Sequence, residues 1–415
     1  MTSTLFSRRI DDTWLLGAAR TPWVDYCGPL ALVSPTDLGI HAARAAIARS
    51  GIAPDSVDST VATSMAQADF DAYMLPRHVG LYAGVPLQAP AIGVQRICGS
   101  GFEVLRQAAD QIALGYADTV LAVGAESMSR NPICAYTHRS GFRLGAPVEF
   151  KDFLWEALDD PAARVSMIQT AENLAVKYGI TRAEVDAYAA LSFERAVAAQ
   201  AGGRFDVEIE PVRDQRFELA GYESRGIRLP RKAGQQDRDT HVRASPIEVL
   251  AALRTVYDGG VQTAGNSAAL VDGAAAAVVA SGKRIRAEGL QPLVRLAGAA
   301  AAGVPPEIMG IGPVPAIRAL LDRCGLQLAD IALIEINEAQ GAQVLACARE
   351  LGLDMDRLNV NGGSIALGHP LAATGLRLTL TAAHELRRRG ARWAVVSACV
   401  GGGQGMALLL ENTEA

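Results

Sequence analysis

Residues 44–52 read Arg-Ala-Ala-Ile-Ala-Arg-Ser-Gly-Ile, and residues 318–326 read Arg-Ala-Leu-Leu-Asp-Arg-Cys-Gly-Leu. The second stretch is the first displaced by 274 positions, and the register then runs on without a gap. Val57 falls on Ile331, Ser100 on Thr374, Gly101 on Gly375, Ala108 and Ala109 on Ala382 and Ala383, Ile112 on Leu386, and Ala117 on Ala391. A constant offset over so long a span marks an internal duplication. Each copy has the same reading: an amphipathic helix (38–50; 314–324) closed by a glycine, a short strand (59–62; 332–336), a Gly-rich turn into a second helix (101–114; 375–388), and an apolar strand (119–124; 393–398). Strands alternating with helices predict an α/β fold of mostly parallel sheets with helices on their faces.

The copies part company after the apolar strand. In the second, a glycine turn leads at once to a final strand at 406–410; in the first, the matching strand at 274–280 comes about 150 residues after Thr119. The first copy therefore carries a long insertion, with helices expected at 170–177 and 182–200. A long insertion into one half of a duplicated core generally serves function. The expected division is a first half of residues 1–126 plus 246–284, an inserted loop domain 127–245, and a second half 285–415.

The 415 residues, half of them hydrophobic and 20% charged, suit a well-packed chain of more than one domain. No apolar run approaches the roughly 18 residues that span a bilayer. A net charge of −5 gives no field for nucleic acid. The first ten residues lack the apolar core of a signal peptide, and the C-terminal Asn412-Thr413-Glu414-Ala415 is not a peroxisomal address. Six sparse cysteines, with no Cys-x-x-Cys pair, read as reduced thiols in a cytoplasmic protein. Cys324 and Cys347 lie in apolar helical patterns and read as small buried hydrophobes.

Four segments carry chemistry. Ile97-Cys98-Gly99-Ser100-Gly101 sets a cysteine before the second helix of the first copy, where the helix dipole and backbone N–H groups favour thiolate; a buried structural thiol in a tight turn fits the same residues. Gly362-Gly363-Ser364-Ile365-Ala366-Leu367-Gly368-His369-Pro370 precedes the equivalent helix of the second copy, so pseudo-symmetry should bring His369 near Cys98 as its base. Cys399-Val400-Gly401-Gly402-Gly403 puts a second thiol at a strand end, followed by a turn whose N–H groups suit an oxyanion. Glu335-Ile336-Asn337-Glu338-Ala339 places Asn337 at the carboxyl end of a strand, where open α/β sheets bind ligands; Glu338 reads as structural.

Together these segments resemble the thiolase family, whose motifs are a nucleophile-cysteine turn, Asn-Glu-Ala-Phe, Gly-Gly-x-x-x-x-Gly-His-Pro and Cys-x-Gly-Gly-Gly. Further similar stretches are Gly124-Ala125-Glu126-Ser127-Met128-Ser129, Thr170-Ala171-Glu172-Asn173, Thr263-Ala264-Gly265-Asn266 and Met309-Gly310-Ile311-Gly312-Pro313. The resemblance covers nearly the whole chain. It implies a five-layered αβαβα fold of two fused halves, with the insertion covering coenzyme A. It also implies roles: Cys98 takes the acyl group as a thioester, His369 deprotonates Cys98 or the incoming CoA thiol, and Cys399 moves the α-carbon proton. Backbone N–H groups of Cys98 and Gly401 form one oxyanion hole; His369 and a water held by Asn337 form another. Acyl-CoA and CoA are the implied partners, with no permanently bound cofactor and no metal, and the family suggests a homodimer or homotetramer.

The chain departs from the pattern at three places. Gln340 replaces the aromatic of Asn-Glu-Ala-Phe, which points to a polar or unusual acyl chain. Ala268 stands where the family often has a serine toward pantetheine, with Ser267 adjacent. Ser166-Met167 replaces the His-Met of many short-chain members. Met167, Met309, Ser267, Ala268 and Gln340 are the expected substrate-lining positions, and Arg243, in a stretch similar to a family Asp-Glu-x-x-Arg, is the expected cation for CoA phosphate. A ketoacyl synthase would lack the second cysteine, and a non-catalytic CoA- or lipid-binding relative should have lost one of Cys98, His369 or Cys399.

Overall fold

The computed structural model describes residues 6–66, 69–136 and 138–415. Residues 1–5 of the amino-terminal stretch read for a leader lie outside it. Nine strands build the main sheet: β1 (Phe6–Arg20), β2 (Ser59–Thr63), β3 (Ala91–Gly93), β4 (Thr119–Ser127), β5 (Val271–Ser281), β6 (Val294–Gly303), β7 (Leu333–Ile336), β8 (Trp393–Val400) and β9 (Gln404–Glu411), in the order β7-β8-β9-β6-β1-β5-β4-β2-β3, and a two-residue strand at Val24–Asp25 adds to β5. The helices that matter for the site are α1 (Pro35–Ser50), α2 (Ser100–Ala113), α3 (Met167–Tyr178), α4 (Arg182–Ala201), α5 (Pro313–Cys324), α6 (Gly341–Leu351) and α7 (Thr374–Arg389).

The repeat is visible element by element. β2 maps onto β7, β4 onto β8, and α2 onto α7, each pair starting 274 residues apart. The closing glycines match as well: Gly51 and Gly325 both take the left-handed conformation, at φ 76° and 71°, which only glycine adopts without cost.

The sheet is not mostly parallel. β2 pairs with β3 and β4, and β7 with β8, in parallel, but the five pairings from β4 across to β8 are antiparallel. The cause lies in two elements. The glycine turn joins β8 to β9 as a hairpin, which can only be antiparallel. The fifteen-residue β1 binds β5 along one edge and β6 along the other, zipping the two halves together. The polar start of this strand, Ser7-Arg8-Arg9-Ile10-Asp11-Asp12, hides it in the sequence.

α2 packs on β4 and β2, α7 on β8 and β7, and the two helices pack on each other, so they form a shared middle layer; α1 covers one wing of the sheet and α5 the other. This is the αβαβα arrangement. The middle layer is tight because both helices begin with glycine at the crossing. A Cβ on Gly101 would lie 2.7 Å from the Gly375 amide, and one on Gly375 still closer to the Phe102 amide. Backbone-to-backbone approach thus brings the two helix N-termini, and the turns before them, into one place. Of the insertion, α4 docks on the second half and the segment 203–245 runs back over the first. Arg20 at the end of β1 is clamped there by Asp239 (2.7 Å) and Glu208 (2.9 Å), all three buried.

Candidate active site

Cys98 sits in a single 3-10 turn, Ile97–Gly99, directly before α2. The turn is strained: Ile97 has φ +44°, a conformation a β-branched residue adopts only under external constraint. The constraint is visible. The Arg96 amide donates to Ser100 Oγ at 2.8 Å, Gly99 N–H donates to the Arg96 carbonyl at 2.8 Å, and the Arg96 guanidinium binds Glu103 and Gln404 at 3.0 Å each. Gln404 lies in the hairpin after Cys399, so the same arginine pins the nucleophile turn to the glycine turn of the other half.

That contact brings the two cysteines together. The residues after Cys399 pack on those flanking Cys98: a Cβ on Gly99 would lie 2.9 Å from Val400 Cγ2, and one on Gly401 3.4 Å from Ile97 Cγ2. Cys399 is fully buried at the end of β8, among Met309, Ala339 and Met167. Cys98 is buried in a separate small cluster with Met65, Met128, Leu371 and Ala372; Leu371 and Ala372 come just after His369-Pro370.

His369 is buried on the turn between Gly368, at φ +97°, and Pro370. Its ring is held at both nitrogens. Thr374 Oγ1 donates to the Pro370 carbonyl at 3.1 Å and so accepts from His369 Nδ1–H at 2.6 Å. On the other side Ser364 Oγ donates to Asn337 Oδ1 at 2.6 Å, which turns the Asn337 amide nitrogen toward His369 Nε2 at 3.2 Å. This network assigns the neutral tautomer with Nε2 unprotonated, the form that can take a proton from a thiol. Asn337 thus contacts His369 directly.

The electrostatics differ from the reading of a dipole-stabilised thiolate. Burial pushes the Cys98 thiol up to about 11, opposed by the Gly401 amide and reinforced by the Glu126 carboxylate. Burial also raises the Cys399 thiol well above its ordinary range, with the neighbouring Cys98 adding to it. Burial, then the Arg377 cation, drives His369 down to about 3. The dipole of α2 is outweighed because both sulfurs are out of water. The resting site holds two thiols and a neutral imidazole.

Two acids frame the site: Glu126, to which the sequence gave no role, and Glu338, which it read as structural. Glu126 accepts from the Met65, Ala66 and Ala372 amides and from Ser64 Oγ, tying β4 to the segment after His369; burial lifts it to about 7. Glu338 accepts from Tyr188 Oη, Ser192 Oγ, Asn359 Nδ2 and the Ile365 amide, so it locks α4 and the Gly-Gly turn around Asn337. Their only signal in sequence was an acid inside a family-like motif.

The expected substrate positions divide. Met167 and Met309 pack beside Cys399, and the Met167 sulfur lies 3.6 Å from where a Cβ on Gly401 would be. Ala268 N–H donates to the Ala339 carbonyl, which runs the 263–269 loop alongside Asn337-Glu338-Ala339. Ser267 Oγ donates inward to the Thr263 carbonyl at 2.8 Å, and the Gln340 oxygen accepts from Gln262 Nε2 at 3.0 Å. The polarity at 340 is therefore engaged in holding the loop. Ser166 caps α3 and bonds Tyr257 Oη. Arg243 is exposed, stacked 5.2 Å from the Phe193 ring centroid and bonded to His241, with no contact to the cysteine–histidine cluster. Asp239 of the same motif is spent on Arg20.

The chain matches the family model for the thiolase N-terminal domain over residues 13–283 and that for the C-terminal domain over 290–412. It is 42% identical over 404 residues to the mitochondrial 3-ketoacyl-CoA thiolase of Homo sapiens, covering 96% of this chain and 98% of that one. It is 40% identical over 411 residues to an acetyl-CoA acetyltransferase of Pseudomonas aeruginosa, covering 97% and 99%. The crystal structure of the human mitochondrial enzyme in complex with CoA superposes with a TM-score of 0.92, at 40% identity over 98% of this chain and 99% of that one. With a paired-cysteine site on a duplicated αβαβα scaffold and both domain models matched end to end, the chain belongs to the thiolase family, the CoA-dependent acyltransferases.

Proposed function

We propose that the chain interconverts a 3-ketoacyl-CoA plus CoA with acetyl-CoA plus a shortened acyl-CoA, by a ping-pong reaction through an acyl thioester on Cys98. The observation that carries the reading is the packing of Val400 and Gly401, directly after Cys399, against Gly99 and Ile97, which flank Cys98. In the cleavage direction the Cys98 sulfur attacks the 3-keto carbonyl while its proton passes to His369 Nε2. Only then does Nε2 become a donor, so the group that makes the nucleophile also helps hold the negative charge that results. The Cys98 and Gly401 amides face the developing oxyanion. The C2–C3 bond breaks, its electron pair becomes the acetyl-CoA enolate, and the Cys399 thiol protonates the α-carbon. CoA then attacks the acyl-Cys98 thioester; its thiol proton restores Cys399, and the departing Cys98 sulfur regains the proton held on His369. The books balance with no metal or redox partner, and the covalent intermediate splits one hard Claisen step into two easier ones.

Cys98→Ala tests the reading: the expected result is loss of thiolysis across a panel of 3-ketoacyl-CoAs with an unchanged circular dichroism spectrum. Full activity in a folded Cys98→Ala enzyme refutes it. The panel also tests whether the engaged Gln340 leaves room for ordinary linear acyl chains.

Assembly as a homodimer or homotetramer belongs to the same proposal. β3 is an outer strand with Ile92 and nearby Leu87 about half exposed, and an open apolar edge is the kind that a second copy covers. Light scattering of the purified chain as a monomer at micromolar concentration would exclude it. Cytoplasmic residence is proposed on the two catalytic thiols, which work only when reduced; imaging of a tagged chain in another compartment would overturn that.

A further inference from the structure

Linked to the site through Ser364 lies an ion pair that the chemistry above does not use. Glu335 on β7 and Arg377 on α7 are both fully buried, with Arg377 Nη1 3.8 Å from Glu335 Oε2. The pairing is poor. Both Glu335 oxygens and Arg377 Nε and Nη1 have no hydrogen-bond partner among the described residues. The only directed bond from the pair runs from Arg377 Nη2 to Ser364 Oγ at 3.5 Å, and the guanidinium also stacks 5.4 Å from the Trp23 ring centroid. Such a pair costs stability relative to an apolar one of the same volume. Fold stability is therefore not a reason to keep it.

Its one bonded neighbour leads straight to the site. Ser364 Oγ receives Arg377 Nη2 and donates to Asn337 Oδ1; Asn337 Nδ2 reaches His369 Nε2. With the cation at its back, the Ser364 hydroxyl hydrogen has only Asn337 to point at. Without it, the hydroxyl is free to rotate, and the Asn337 amide loses the restraint that keeps its nitrogen toward the imidazole. We propose that Glu335–Arg377, acting through Ser364, is a positioning device that fixes the Asn337 amide and holds His369 neutral with Nε2 ready to accept a proton. This rests on the reading of His369 as the base for Cys98. Two charges of the device act on the ring in opposite senses: Arg377 disfavours imidazolium, and Glu335 tempers Arg377. The other charges facing the pair are Glu208, Arg20, Glu338 and Glu385, and Glu126 faces Cys98; none is altered in the test.

The test measures kcat, KM and the pH profile of kcat/KM for thiolysis of acetoacetyl-CoA or the best substrate of the panel. The variants are Arg377→Met, Arg377→Lys, Glu335→Gln and Ser364→Ala. Long-range 15N–1H spectra of histidine-labelled protein report the imidazole tautomer. Arg377→Met is expected to lower kcat about 10- to 100-fold, the range for disturbing an orienting partner, with KM within about 2-fold. Its acid limb should move to higher pH, and the His369 nitrogens should lose the single-tautomer pattern. Arg377→Lys should restore the limb while recovering only part of kcat. Glu335→Gln should leave the limb at or below its wild-type position. Should Arg377→Met not fold, Ser364→Ala still decides: kcat about 10-fold down at constant KM is expected, and wild-type kcat overturns the proposal. An unmoved acid limb in folded Arg377→Met, or a loss confined to KM, also overturns it. Wild-type enzyme with no thiolase activity would strike the proposed function instead, a distinct outcome.

Discussion

In the proposed mechanism Cys98 begins each cycle as a thiol, beside a neutral imidazole that is a weak base. The thiol sits near 11 and the imidazole near 3, both through burial, so a separated thiolate–imidazolium pair is strongly disfavoured in the resting enzyme. Proton transfer must therefore be coupled to bond formation, when the oxyanion hole supplies compensation. Alkylation by iodoacetamide, which offers no oxyanion, should consequently be slow at neutral pH and climb about 10-fold per pH unit toward 11. A rate already at its plateau near pH 7 would show a resting thiolate and refute this ordering. Cys399 has the complementary role. Cys399→Ser should depress exchange of the acetyl-CoA α-protons far more than acyl loading of Cys98; equal losses in both would contradict the division of labour. At this scale the sequence singled out residues that the structure sets near one another, Asn337 beside His369 and Cys399 among Met309 and Met167, but it misjudged their electrostatics. The dipole argument for Cys98 was sound in sign, but no linear pattern reveals that both sulfurs are excluded from water.

The element that makes the site possible is the crossing of α2 and α7. Gly101 and Gly375 let the helices touch backbone to backbone, and no side-chain adjustment can absorb a Cβ there because the opposing atoms are main-chain amides. Gly375→Ala should lower the urea midpoint by the equivalent of about 2–3 kcal/mol or more and reduce kcat, since the turns bearing Cys98 and His369 are carried on these helices. A variant with wild-type stability would mean that the crossing is looser than it looks. The repeat made these helices, their glycines and the strands beside them legible, because duplication doubles each signal. β1 was not legible: its early residues are mostly polar, Arg8-Arg9 and Asp11-Asp12 about a single Ile10, and its partners lie more than 250 residues away in sequence. The direction of the central pairings was missed for the same reason, since it is decided by where β1 inserts.

For the whole molecule, the insertion is bound by a buried charge cluster as well as by apolar contact. Arg20 is enclosed by Asp239 and Glu208, each within 3 Å. Removing one carboxylate leaves a buried cation short of its partner, so Asp239→Asn should cost about 3–5 kcal/mol in urea unfolding. A loss below 1 kcal/mol would show that the clamp is dispensable. Stability should also respond to pH through groups held off their usual range. Glu126 is raised from 4.5 to about 7; its contribution is complete below 4.5 and disappears as pH rises through 7. His369, depressed from 6.5 to about 3, contributes fully above 6.5 and loses that contribution as pH falls toward 3. The unfolding midpoint of the parent relative to Glu126→Gln should therefore decline between pH 4.5 and 7, and a constant gap would refute the shift. The unequal spacing of the halves pointed to an insertion, whereas its attachment was not readable: Asp239 looked like part of a ligand-binding motif, and only the fold shows it bound to Arg20.

The meeting of two glycines 274 residues apart has a consequence for a ribosome making this chain. Cys98 emerges early and His369 near the end, so under the proposed mechanism Cys98 is a thiol without its base for most of synthesis. Chemistry switches on only when the last helix has found its twin, and no fragment released short of that point can acylate itself.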